Sequence, residues 1–166
     1  MKQLISYLAA SIAGSYERII EARSEHMHFD RMKMAAAHEK QKSLISIVDD
    51  EACVRESLSS LMRSMGYHAT EHASAEDFLA LGRRDETACL ILDVRMPGMG
   101  GLELQRRLAE TGCQTPIVFL SARASEHEKR RALRAGATDF LSKPVNEDAL
   151  LHAIRAALDV PNHEQE

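Results

Sequence analysis

Between Leu44 and Leu158, short runs of apolar residues alternate with longer segments of helical periodicity. The runs have the length of strands, and they are Leu44–Val48, a weaker Tyr67–Glu71, Ala88–Leu92, Pro116–Leu120 and Thr138–Leu141. Strict alternation of strand and helix implies parallel strands joined by crossovers, with helices covering both faces of the sheet. The pattern therefore predicts an α/β fold with a doubly wound five-stranded parallel sheet.

The helical segments have recognisable faces and ends. In the clearest helical segment, the apolar residues fall on a single face, and they are Val54, Leu58, Leu61, Met62 and Met65. Ser74 followed by Asp77 resembles a capping box with Asp in place of the usual Glu. A basic fourth segment covers Glu126–Ala135, and Pro161 ends the last helix.

The first 43 residues are a different kind of sequence. Apolar residues recur at helical spacing over about residues 3–22, which predicts a helix, and Ser24–Ser43 is a mostly polar linker. We divide the chain into an N-terminal helical extension and linker (1–42), one α/β domain (43–160) and a polar tail (161–166). For the extension, a docking or homodimerisation helix, a membrane-surface helix and a spurious upstream start stay open. The membrane-surface alternative is the least favoured, because the chain lacks Trp and the polar face has little Lys or Arg.

Charge and composition argue against several classes of function. The net charge is −4, and residues 1–43 carry seven Lys or Arg against five Asp or Glu, so the remainder is acidic and a poor nucleic-acid binder. Cys53, Cys89 and Cys113 show no CxxC spacing, which argues against zinc and a disulfide framework. No cleavable signal sequence is evident, and the charge-free run Gln3–Tyr16 is shorter than the ~20 residues that span a bilayer. We expect a soluble, cytoplasmic protein.

The stretch LILDVRMPGMGG (residues 90–101) ends an apolar run at Asp93 and continues into residues rich in Pro and Gly. Strand interiors avoid Asp, and helices avoid Pro97, Gly98, Gly100 and Gly101. The stretch therefore predicts a strand end and an irregular loop that present the carboxylate. In open parallel sheets, ligands bind beyond the carboxyl ends of the strands, so the residues at the other strand ends are candidates for the same site.

Three acids, a hydroxyl and an amine are expected to converge there, because Asp49 and Asp50 follow the first run, Ser121 the fourth and Lys143 the fifth. Two unit charges about 4 Å apart repel by about 4 kcal/mol at an effective dielectric near 20, so a proton or a hard cation must accompany the acids. Oxygen ligands without His or thiolate suit Mg²⁺. A carboxylate can also form an acyl phosphate, with Lys143 and Ser121 binding the phosphoryl oxygens. We predict that Asp93 is phosphorylated.

Each motif alone has a simpler explanation. Asp49–Asp50 could cap the following helix, Lys143–Pro144 could be a loop and Met96–Gly98 a turn. The basic residues of Lys129–Arg134 are most simply a solvated helix face, with partner recognition as the second interpretation. The joint placement of the first three motifs at converging strand ends favours one site over three coincidences.

The chain resembles the receiver domain of bacterial two-component response regulators in four motifs that occur in order: SIVDDEACVRESL, LILDVRMPGMGG, PIVFLSAR and AGATDFLSKPV. Within that family, its sequence is most like the FixJ-like branch. The resemblance covers about residues 43–158. It implies a flavodoxin-like sheet of order 2-1-3-4-5. It also implies a phosphoacceptor signalling protein, which catalyses its own phosphotransfer and dephosphorylation and is not otherwise an enzyme.

The resemblance assigns roles by position. The Mg²⁺ ligands that it implies are Asp49, Asp50, Asp93 and the backbone carbonyl of Arg95. Asp93 matches the phosphoacceptor and Lys143 the phosphate-pairing lysine, whose bond to the following proline is cis in this family. Ser121 and Phe140 fall at the switch positions, where Phe140 lacks the hydroxyl of the commoner Tyr. Arg95 and Arg123 occupy the two positions that tune the lifetime of the phosphorylated form.

The expected protein is a stand-alone receiver without a DNA-binding output domain. It would take its phosphoryl group from a sensor histidine kinase or a histidine phosphotransfer protein, and it would show a changed surface near the fourth helix and fifth strand to an unidentified partner. Two alternatives stay open: a constitutive adaptor that binds a partner through the N-terminal helix, and a phosphate sink.

Overall fold

The computed structural model describes residues 43–81 and 84–159. Its strands are β1 (Leu44–Val48), β2 (His68–His72), β3 (Thr87–Asp93), β4 (Ile117–Ser121) and β5 (Asp139–Ser142). Its helices are α1 (Ala52–Ser64), α2 (Ala75–Ala80), α3 (Gly101–Glu110), α4 (Glu126–Arg134) and α5 (Glu147–Leu158), with a 3-10 turn at Arg84–Glu86.

The five strands form one sheet of order β2-β1-β3-β4-β5, in which every neighbouring pair is parallel. The chain moves outward from β1 to β2 and then returns past β1 to β3, so the winding direction reverses between β1 and β3. The carboxyl ends of these two strands form the crevice in which such folds bind ligands. The predicted fold class and strand order are confirmed.

Helices cover both faces of the sheet, which explains why the central strands are continuous apolar runs. The layer under α1 and α5 includes Ile45, Ile47, Met62, Ile91, Leu120 and Leu150. The layer under α2, α3 and α4 includes Phe78, Leu90, Leu92, Leu104, Leu108 and Phe119. Each such side chain stabilises the fold by about 1.5–3 kcal/mol when fully buried. The two layers hold the strand ends at fixed positions.

The five predicted strands agree with the observed ones to within one residue at each end. Strand β2 gave the weakest signal because it lies at the sheet edge, where His72 is its only buried residue. The predicted cap at Ser74 is also present, since its hydroxyl accepts a hydrogen bond from the backbone N–H of Asp77 at 3.1 Å. Local pattern and tertiary structure therefore agree at these boundaries.

One boundary prediction is wrong. The irregular loop does not extend through Gly101, which is the first residue of α3. Its N–H donates to the Val94 carbonyl at 3.0 Å, and a Cβ at this position would lie 2.2 Å from the carbonyl oxygen of Asp93. Glycine stands here because the helix start approaches the strand end too closely for a side chain.

Several predictions fall outside the described residues. These are the N-terminal helix over about residues 3–22, the linker that follows it and the tail over 161–166. Within 43–81 and 84–159, no helix combines the length and the apolar character needed to cross a bilayer.

Candidate functional site

The sheet brings the predicted polar residues together at the carboxyl ends of its strands. Val48 pairs with Leu92, so the residues that follow them, Asp49 and Asp93, leave β1 and β3 side by side. On the other side of β3, Asp93 pairs with Leu120, the residue before Ser121. The N–H of Lys143 donates to the Ser121 carbonyl at 2.9 Å, which places the lysine beyond the end of β5.

Three carboxylates cluster at these strand ends. Asp49, Asp50 and Asp93 each offer an oxygen, and these oxygens all lie within 4.8 Å of one another. Asp49 and Asp93 are buried, whereas Asp50 is exposed. A donor set made only of carboxylate oxygens fits a hard divalent cation that keeps some of its water, such as Mg²⁺. The exposed Asp50 leaves one side of the cluster open to solvent.

Lys143 lies between the two buried acids. Its Nζ is 2.6 Å from Asp49 Oδ2 and 3.5 Å from Asp93 Oδ1, with Glu51 Oε1 more distant at 3.6 Å. Only 12% of the lysine side chain is exposed. The peptide bond that follows it, to Pro144, is cis, as the resemblance implies. The ammonium therefore offsets part of the negative charge of the cluster and stands beside the carboxylate predicted to react.

The ionisation of Asp93 depends on this environment. Burial raises the pKa of its carboxyl, Lys143 opposes the shift and the charge of Asp49 adds to it. Burial acts to lower the pKa of Lys143, but its hydrogen bond to Asp49 and the charges of both acids outweigh burial and raise that pKa. Lys143 thus stays charged at neutral pH. A cation bound to the cluster would favour the ionised form of Asp93, which is the form able to act as a nucleophile.

Asp49 does not cap α1. Its Oδ1 accepts a hydrogen bond from the N–H of Glu51 at 2.9 Å, whereas the N-cap of α1 is Glu51 itself, without a side-chain cap bond. Arg55 fixes the same turn by donating from Nη1 to the Asp49 carbonyl at 2.6 Å. The simpler interpretation of the acidic pair as a helix cap is therefore wrong.

Ser121 and Phe140, the two residues predicted to form the switch, are both buried. Ser121 Oγ accepts a hydrogen bond from the N–H of Arg123 at 3.3 Å. The Phe140 ring is only 6% exposed and stacks on Phe119, with 5.8 Å between ring centroids. Phe140 has no hydroxyl to hold it at the surface, so burial against Phe119 determines its position.

The two arginines make different contacts. Arg95 sends its guanidinium to Glu128 on α4, at 3.2 Å from each carboxylate oxygen. Arg123 is exposed and contributes its backbone N–H to Ser121. The structure thus brings together the acids and the lysine, and it places the Arg95 side chain on a neighbouring helix.

Two polar contacts between distant elements escaped prediction. Glu76 Oε1 accepts from the N–H of Met99 at 3.0 Å and so ties the loop after β3 to α2. Gln105 is buried, and its Nε2 donates to the carbonyls of Ala132 and Ala135 at 3.0 and 3.2 Å, at the end of α4. Both partners are far away in sequence. No local pattern indicates such contacts.

The geometry and the sequence point to one class of protein. Residues 45–155 match the family model of the response regulator receiver domain, and the chain belongs to this family. Receiver domains are the modules of two-component systems that histidine kinases phosphorylate, and they bind Mg²⁺ through acidic residues.

Individual relatives support this assignment. The chain is 48% identical over 126 residues to response regulator protein TmoT of Ectopseudomonas mendocina, covering 76% of this chain and 57% of TmoT. It is 50% identical over 116 residues to response regulator protein TodT of Pseudomonas putida, covering 70% of this chain and 51% of TodT. The FixJ-N crystal structure superposes with a TM-score of 0.66 at 32% identity, covering 74% of this chain and 98% of FixJ-N. The chain spans about half the length of the curated relatives it matches.

Proposed function

We propose that Asp93 accepts a phosphoryl group from a phosphohistidine on a sensor histidine kinase or a histidine phosphotransfer protein. The observation that carries the proposal is the Lys143 ammonium, 2.6 Å from Asp49 and 3.5 Å from Asp93, beside three clustered carboxylates. A charge so placed would pair with phosphoryl oxygens once Asp93 is modified. In this proposal residues 43–160 form the receiver, and residues 1–42 supply a separate docking or dimerisation helix.

In the transfer step, a carboxylate oxygen of Asp93 attacks the phosphorus atom of the phosphohistidine. A phosphorus–oxygen bond forms while the phosphorus–nitrogen bond breaks, and the electron pair of the broken bond remains on the imidazole. Asp49, Asp50, Asp93 and the Arg95 carbonyl would hold Mg²⁺, which when bound neutralises charge on the phosphoryl oxygens. Later attack of water on the same phosphorus returns the carboxylate and releases inorganic phosphate.

The output in this proposal is a change at the surface formed by α4 and β5. Ser121 would leave the N–H of Arg123 and donate its hydroxyl to a phosphoryl oxygen. Phe140 is already buried, so we propose that part of the active surface exists before phosphorylation. The acidic balance of residues 44–166 disfavours nucleic acid as a partner of the domain as a whole, although α4 itself is basic.

Phosphorylation by acetyl phosphate should require Mg²⁺, because the acids otherwise repel the incoming phosphoryl group. Asp50→Asn removes the exposed ligand and should weaken Mg²⁺ binding by at least about tenfold, the loss typical of disturbing a metal's ligand shell. Asp148→Asn, on the exposed first turn of α5, is the matched control and should change neither the phosphorylation by acetyl phosphate nor the affinity for Mg²⁺. Label uptake from radioactive acetyl phosphate and backbone NMR shifts during Mg²⁺ titration measure the two effects. Undiminished labelling in EDTA would contradict the proposal, and a constitutive adaptor would take up no label.

Ser121→Ala should still be phosphorylated but should not transmit the change to α4. A charge-assisted hydrogen bond from Ser121 is worth about 1.5–3 kcal/mol, enough to shift a two-state surface more than tenfold. Hydrogen exchange of α4 amides, with and without the phosphoryl mimic beryllofluoride, measures the shift. The control variant is Ser142→Ala, because Ser142 is exposed and is the register partner of Ser121 on the neighbouring strand β5. An equal response in wild type and Ser121→Ala would show that the hydroxyl does not carry the signal.

A further inference from the structure

The Arg95 side chain forms a contact that the phosphorylation site does not explain. Its Nη2 donates to Oε1 and Oε2 of Glu128, each at 3.2 Å. Arg95 lies two residues after Asp93, and two residues of extended chain span about 7 Å at most. A guanidinium that originates beside the phosphoacceptor is therefore held on the first turn of α4.

Glu128 is fixed more firmly than its partner. Its Oε2 accepts from the backbone N–H and the hydroxyl of Ser125 at 2.8 and 2.9 Å, and its own N–H donates to the Ser125 hydroxyl at 3.2 Å. These bonds form the capping box of α4. The Glu128 side chain is 24% exposed, against 62% for Arg95. If the pair separates, the arginine moves and the carboxylate stays with the helix.

We propose that Glu128 is a positioning residue that competes with a phosphoryl group on Asp93 for the Arg95 guanidinium. This inference rests on the proposed phosphorylation of Asp93. A phosphoryl group carries about −1.5 to −2 charge at pH 7, which exceeds the single charge of Glu128. Phosphorylation would therefore draw Arg95 away from α4 and break a direct link between the phosphoacceptor loop and that helix, while Glu128 continues to cap it.

The variant Glu128→Gln tests the competition. Glutamine also serves in a capping box, so the change removes the charge that holds Arg95 and keeps the helix start. Beryllofluoride with Mg²⁺ is the probe, and its apparent affinity is measured by backbone NMR titration. Glu128→Gln should bind the probe more tightly by on the order of threefold, the worth of a partly exposed ion pair.

Two further variants separate this mechanism from general effects of charge and capping. Glu126→Gln removes the same charge from the same turn, and Glu126 makes no ion pair within the described part of the chain. Screening over about 8 Å should keep its effect within about 1.5-fold. Ser125→Ala weakens the cap but retains the Glu128 charge. It should lower the unfolding temperature and leave the affinity for beryllofluoride unchanged.

The decisive comparison repeats Glu128→Gln in an Arg95→Gln background, where the gain in affinity should disappear. If the gain persists without Arg95, or if Ser125→Ala produces the same gain, the competition is disproved. If wild type binds beryllofluoride and Glu128→Gln binds it equally, the role of Glu128 is also disproved and the proposed function stands. If wild type binds no beryllofluoride in the presence of Mg²⁺, the proposed function fails first.

Discussion

Replacing Asp93 by Asn should abolish hydroxylamine-sensitive phosphate incorporation from acetyl phosphate while the protein still folds. The amide is nearly isosteric with the carboxylate but has no anionic oxygen to attack phosphorus. Folding should not suffer, because burial and the charge of Asp49 already disfavour the ionised form of Asp93 and raise its pKa. We expect the urea midpoint of Asp93→Asn at neutral pH to be at least as high as that of wild type.

The measurement is radiolabel incorporation per chain, followed by treatment with hydroxylamine, which cleaves acyl phosphates. Asp148→Asn serves again as the control, since it removes an exposed carboxylate from the first turn of α5. It should incorporate label like wild type. One phosphate per chain in Asp93→Asn would mean that another residue is the acceptor.

Replacing Gly101 by Ala should lower the free energy of unfolding by about 3 kcal/mol, the upper end of what overpacking typically costs. Helix propensity alone predicts the opposite, since Ala is favoured over Gly by about 1 kcal/mol within helices. The close contact determines the sign of the change in the free energy of unfolding. The added Cβ would lie 2.2 Å from the Asp93 carbonyl oxygen, which is a backbone atom and cannot rotate away. The displacement would also move Asp93, the proposed phosphoacceptor, so labelling should fall.

Gly112→Ala is the matched control for this prediction. Gly112 has a φ of +74° and nothing within 4 Å of the position that an added methyl group would occupy, so alanine there meets strain without a clash. The expected loss is about 1–2 kcal/mol, with labelling unchanged. Urea unfolding measures both variants. Equal losses at the two positions would show that close packing against Asp93 does not constrain Gly101.

Much of the fold could be predicted from local pattern. Burial on both faces makes the central strands continuous apolar runs, and these runs, together with weaker ones at the two edge strands, located all five strands to within one residue. The site could be predicted from the same apolar runs. The carboxyl ends of parallel strands lie together, so the residues that follow each run are expected to be neighbours. Asp49, Asp93 and Lys143 therefore come together as their positions at the strand ends predicted.

Other features became apparent only from the packing of distant elements. Gly101 resembles a loop glycine in sequence, and only the approach of α3 to the end of β3 explains it. Gln105 lies beside the apolar stripe of α3, yet it is buried because it donates to carbonyls at the end of α4. The ion pair of Arg95 with Glu128 spans 33 residues. Local periodicity indicates most of the buried apolar side chains and the ends of the strands, whereas contacts between elements depend on distances that only the folded chain sets.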